Sequence, residues 1–130
     1  MTDRELVELA FTMLERSYSP YSHFPVGAAL EGTDGAVYTG CNVENAAYGS
    51  CICAERTALV KAVSEGCRSF RRLAVVGSGE DYCWPCGSCR QMLYEFAPEL
   101  EILVARGDHD FVKTTLRELM PHGFGPEALA

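Results

Sequence analysis

Two short segments carry the residues best suited to chemistry, Cys53-Ala54-Glu55 and Pro85-Cys86-Gly87-Ser88-Cys89. A Cys-x-x-Cys pair spans one helical turn, so both of its sulfurs can face a single ion. Both segments fall at the starts of predicted helices, where the positive end of the helix dipole favours thiolate over thiol. Cys53, Cys86 and Cys89 would give Zn²⁺ three thiolate ligands and leave the fourth tetrahedral position to water, as catalytic zinc requires. Glu55 lies too close to Cys53 in the chain to be a comfortable fourth ligand. It is well placed to exchange a proton with that water. Cys-x-x-Cys alone also fits a redox motif or half of a structural zinc site, in which Cys51 or Cys83 would be the fourth ligand. Cys41 and Cys67 read as small buried hydrophobes. His23, His109 and His122 are isolated and carry no metal role.

The elements that must hold these residues follow from periodicity. Thr2 and Glu5 make a capping box, and Leu6, Leu9, Ala10, Met13 and Leu14 follow at helical spacing to about Ser17. The stretch from Tyr18 to Pro25 is a loop. Val26 to Glu31 and Ala36 to Cys41 are strands joined through Asp34-Gly35. Asn42 to Ile52 is a polar loop of the kind that carries function. Cys53 to Ser64 is a helix with Ala54, Ala58, Val60, Ala62 and Val63 as its apolar positions. Leu73 to Val76 is a strand with Arg71 and Arg72 flanking it. Cys86 to Phe96 is a helix with Met92, Leu93 and Phe96 inward. Ile102 to Ala105 is a strand, Phe111-Val112 the candidate fifth, and Thr115 to Met120 a short helix. Strands alternating with helices predict a three-layer α/β/α domain, and the early hairpin makes its five-stranded sheet mixed.

Composition narrows the partners. Residues 1–130 fit one compact domain, and 48% apolar residues suffice for a real core. A net charge of −7 repels phosphate backbones, which argues against a nucleic-acid polymer. The seven cysteines are an odd number, Met1 to Arg16 does not read as a signal peptide, and no apolar run is long enough for a bilayer. The expected compartment is the cytosol, with reduced thiols.

Ligand-x-Glu followed by Pro-Cys-x-x-Cys is the signature of the zinc deaminases. Further segments sharpen the likeness. They are Tyr21-Ser22-His23-Phe24-Pro25-Val26-Gly27-Ala28-Ala29-Leu30, Gly40-Cys41-Asn42-Val43-Glu44-Asn45-Ala46, Arg56-Thr57-Ala58, Lys61 to Gly66, Arg90-Gln91 and Phe124-Gly125-Pro126-Glu127. With them the chain, from Tyr18 to Leu129, resembles the short cytidine deaminases. The resemblance implies hydrolytic deamination of cytidine and 2′-deoxycytidine in pyrimidine salvage, with one Zn²⁺ per chain. It implies Glu55 as the catalytic proton shuttle and Cys53, Cys86 and Cys89 as ligands. Asn42 and Glu44 would hold the ribose, Phe24 would pack on base or sugar, the Ala54 backbone would meet the pyrimidine, and Arg56 would donate to the thiolates. It also implies a homotetramer in which a neighbour donates Phe124. Ala47, Cys51 and the pair Cys83-Trp84 depart from the expected pattern. Smaller or more polar residues are expected at Cys83-Trp84.

Overall fold

A computed structural model describes residues 1–129. Five strands, β1 (Val26–Gly32), β2 (Val37–Cys41), β3 (Phe70–Gly77), β4 (Glu101–Ala105) and β5 (Phe111–Thr115), form one sheet in the order β2-β1-β3-β4-β5. Only β3 and β4 run parallel; the other neighbours are antiparallel, so the sheet is mixed as expected. Helix α1 (Asp3–Thr12) covers one face. On the other lie α2 (Ala54–Ser64), α3 (Gly87–Phe96) and the short α4 (Leu116–Leu119). Strand alternation sorts the core between the layers. Ala29, Ala74, Val76, Leu103 and Ala105 meet Leu6, Val7 and Ala10 of α1. Ala28, Leu30, Leu73, Val75, Ile102 and Val104 point the opposite way, toward α2, α3 and α4.

The capping box forms as read. Thr2 Oγ1 accepts from Glu5 N at 3.1 Å, and Thr2 N donates to Glu5 Oε1 at 2.8 Å. The Asp34-Gly35 turn closes with Gly35 at φ +91°, a conformation that favours glycine. Three local readings change. Val60 is 48% exposed, because the buried stripe of α2 runs through Ala54, Ala58 and Ala62 with Glu55 and Leu59 beside it, and Val60 lies on the far side. The third strand begins earlier, at Phe70, so Arg71 and Arg72 lie within it rather than beside it. Arg72 is buried in that position because Glu31 on β1 accepts from its Nε at 2.8 Å, Asp3 from its Nη1 at 2.7 Å and the Met1 carbonyl from its Nη2 at 2.6 Å. Cys67 is only half-buried, whereas Cys41 is buried as read.

Candidate active site

The two cysteine segments meet because α2 and α3 point their first turns at the same place. Cys53 is the residue before α2 and Cys86 the residue before α3, both with extended backbone, and neither side chain caps its helix by a hydrogen bond. Cys89 follows one turn into α3 and is buried. Cys53 Sγ lies 3.6 Å from Cys86 Sγ, and Cys86 Sγ 3.2 Å from Cys89 Sγ. All three sulfurs lie within 4.8 Å of one another. Tetrahedral zinc with Zn–S bonds of about 2.3 Å sets its sulfurs about 3.8 Å apart. The three thiols therefore fit that ion with little movement. Cys51 and Cys83 are not part of this cluster. The thiols share protons unequally: the hydrogen bond from Cys89 draws Cys53 down to about 6, against the opposing effect of burial, while the same bond pushes Cys89 up.

Glu55 follows in the first turn of α2 and is 4% exposed. Burial pushes its carboxyl up to about 7, and the neighbouring Cys53 adds to the rise. A carboxyl near neutrality can both take and return a proton, which suits general acid–base work. Its cavity, of about 240 Å³, is lined by Phe24, Val26, Asn42, Cys53, Ala54, Glu55, Cys83, Trp84 and Cys86. Cys83 is held neutral there, its thiol pushed up to about 12 by burial.

Of the residues expected to bind a sugar, Asn42 and Phe24 line this cavity, whereas Glu44 opens onto an adjoining hollow with Tyr21, Ser22, Tyr48 and Cys51. Both polar groups are held by their own chain. Asn42 Oδ1 accepts from Ser17 Oγ at 2.5 Å and Val26 N at 2.9 Å, and its Nδ2 donates to the Phe24 carbonyl at 3.0 Å. Glu44 accepts from Tyr21 N at 3.0 Å, Ser22 N at 3.1 Å and Ser22 Oγ at 2.5 Å. By the valence of each group, Asn42 keeps one N–H and Glu44 keeps one acceptor position. Arg56 does not reach the sulfurs by a hydrogen bond; its Nε lies 3.1 Å from Met92 Sδ, and its charge acts on Cys53 through space. Phe124 lies outside the cavity, 54% exposed, its carbonyl accepting from Gln91 Nε2 at 2.8 Å. The sequence assigns Ser17, Ser22, Val26 and Met92 no role at the site, since nothing in their spacing announces partners so distant in the chain.

Residues 1–104 match the family model of the cytidine and deoxycytidylate deaminase zinc-binding region. The chain belongs to the cytidine deaminase family of enzymes. It is 49% identical over 117 residues to a cytidine deaminase of Sporosarcina psychrophila, covering 89% of this chain and 86% of that one. It is 44% identical over 127 residues to one of Halalkalibacterium halodurans, covering 96% of each. The crystal structure of cytidine deaminase from Burkholderia pseudomallei superposes with a TM-score of 0.92 at 46% identity, over 95% of this chain and all of that one. The three-layer arrangement with its mixed sheet is thus the family's fold. Among the described residues no helix is long and apolar enough to cross a membrane.

Proposed function

We propose that this chain catalyses the hydrolytic deamination of cytidine and 2′-deoxycytidine to uridine and 2′-deoxyuridine, with release of ammonia. The reading rests on one observation, the three clustered sulfurs beside a buried carboxyl at the meeting point of two helix starts. Cys53, Cys86 and Cys89 hold one Zn²⁺ per chain, which when bound supplies the Lewis acidity that makes water nucleophilic near neutral pH. Glu55 takes the proton from the attacking water and delivers it to N3 of the base. Addition at C4 gives a tetrahedral carbon. Glu55 then takes the second proton from the new C4 hydroxyl and gives it to the amino group, and the C4–N bond breaks as the C4 carbonyl forms, releasing ammonia. The Ala54 backbone and Phe24 orient the ring, while the positive charge of Arg56 offsets the excess negative charge of three thiolates.

Asn42 and Glu44 offer one donor and one acceptor to the sugar, so the free base should be a poor substrate. Glu80 and Asp81 line the groove next to the cavity, and their charges disfavour a phosphorylated nucleotide. Residues 1–130 form a single catalytic domain, working in the cytoplasm in pyrimidine salvage. The active unit is a homotetramer, in which the exposed Phe124 completes a neighbour's site. The decisive experiment compares kcat/KM for cytidine, 2′-deoxycytidine, cytosine and CMP, with zinc counted per chain. Cytidine and its 2′-deoxy form should be used comparably and the other two poorly. If cytosine matches cytidine, Asn42 and Glu44 do not read the sugar. If no cytosine compound is turned over by zinc-loaded protein, the reading is wrong.

A further inference from the structure

Trp84 is a large aromatic side chain with no evident structural task. It is 48% exposed on the rim of the cavity that holds Glu55 and Cys53. The backbone that carries it is firmly held. On one side Cys83 N donates to the Ala105 carbonyl at the end of β4, at 3.2 Å. On the other, Arg90 Nε donates to the Pro85 carbonyl at 2.8 Å, and the proline ring limits the backbone further. The indole is therefore displayed from a fixed segment rather than from a mobile loop.

Its companion on the rim is Phe24, 40% exposed. The Phe24 ring has a seat made for it. A Cβ on Gly77 would lie 2.9 Å from Phe24 Cζ, and one on Gly79 would lie 3.1 Å from Phe24 Cε1, so two glycines leave the space that the ring occupies. Both aromatics also line the neighbouring groove, so they stand together between two concavities. A planar base has a polar edge and two apolar faces. Glu55 and the Ala54 backbone lie where they can meet the edge. Phe24 supplies one apolar surface, and Trp84 is the remaining aromatic in the cavity lining.

We propose that Trp84 is a substrate-binding residue, its indole packing directly against the pyrimidine nucleoside held in the cavity. The inference rests on the deaminase reading above and extends it to a residue whose type departs from what that reading led one to expect. Aromatic contact with a base tolerates changes at its edge, so Trp84 adds affinity for the ring and leaves the chemistry to Glu55. The loss on truncation should appear in KM more than in kcat.

The test uses the fact that the chain contains one tryptophan, so its emission reports on Trp84 alone. The zinc-loaded protein is titrated with uridine, which would occupy the site as product without turning over. Excitation is at the red edge of indole absorption, where uridine is transparent. The expected result is a saturable change in emission whose midpoint equals the inhibition constant of uridine against cytidine. In the same assay W84A should raise KM for cytidine roughly 5- to 150-fold, and W84F should recover most of that loss. Cytidine turnover inhibited by uridine with no change in emission overturns the contact and leaves the deaminase reading standing. Emission that responds to protein dilution but not to uridine assigns the indole to a contact between copies and also overturns it. Absence of any cytidine turnover overturns both readings.

Discussion

The Ser22 hydroxyl donates to Glu44 Oε2 at 2.5 Å, while the Ser22 N–H donates to Oε1 of the same carboxylate at 3.1 Å. Ser22 thus fixes both oxygens of a group assigned to the sugar, and it draws the Glu44 carboxyl below its ordinary range. Replacing Ser22 by Ala removes the hydroxyl contact and lets the carboxylate turn. KM for cytidine should rise about 10-fold, the lower end of what an orienting partner contributes, with kcat changing less. Steady-state kinetics on S22A checks this, and an unchanged KM would separate Glu44 from sugar binding.

Glu55→Gln keeps the volume of the side chain and removes its ability to carry a proton. Metal content and melting temperature should stay at wild-type levels. Turnover should fall by at least the ~10²–10⁴-fold typical of a general acid–base group. Near-normal kcat in E55Q would end the proton-shuttle role.

The approach of β2 to α2 depends on Gly40. A Cβ there would stand 2.4 Å from the Ala54 carbonyl oxygen and 2.6 Å from Ala58 N. Both obstacles are backbone, so Gly40→Ala must push the helix away. Overpacking of this kind costs about 1–3 kcal/mol. Because the displaced turn carries Cys53 and Glu55, metal content should drop along with thermal stability. A G40A protein that melts and binds metal like wild type would show that the helix has room to yield.

Acid stability should depend on the buried Arg72. Its guanidinium holds the carboxyls of Glu31 and Asp3 below their ordinary values. Carboxyls depressed in the folded state stabilise it above the unfolded-state values, and that stabilisation is lost as pH falls through the folded-state values. Glu31→Gln should therefore lower stability at neutral pH and flatten the acid limb of the stability curve. Breaking a buried pair costs about 3–5 kcal/mol, and the lower end applies because Asp3 and the Met1 carbonyl remain. Denaturant melts from neutral to acid pH read both effects. Parallel wild-type and E31Q curves would contradict the assignment.

Much of this architecture can be read from the chain. The clustered cysteines stand out because two helix-start signals coincide with metal spacing, and Leu6, Ala10, Ala58 and Leu93 betray their faces by period. The two-sided burial of the sheet follows from β-α alternation. What escapes is whatever depends on contacts across long chain distances. Arg72 looks like a surface charge until Glu31 and Asp3 are seen to surround it. Arg56 looks aimed at the thiolates, yet its Nε meets the Met92 sulfur instead. Glu44 is two residues from Asn42, but Tyr21 and Ser22 hold Glu44 while Ser17 and Val26 hold Asn42, and the two line different hollows.

The cysteines before α2 and α3 have a consequence for how the molecule breathes. Helices usually begin with a residue whose side chain ties down the free N–H groups of the first turn, and here neither Cys53 nor Cys86 does so. Whatever gathers the sulfurs then takes the place of a cap for two helices at once. A chelator should therefore loosen residues 54–57 and 87–90 selectively, seen as faster amide hydrogen exchange in those turns while the central strands stay protected. The metal centre would in that sense be a clasp joining two frayed ends as well as a place where water is activated.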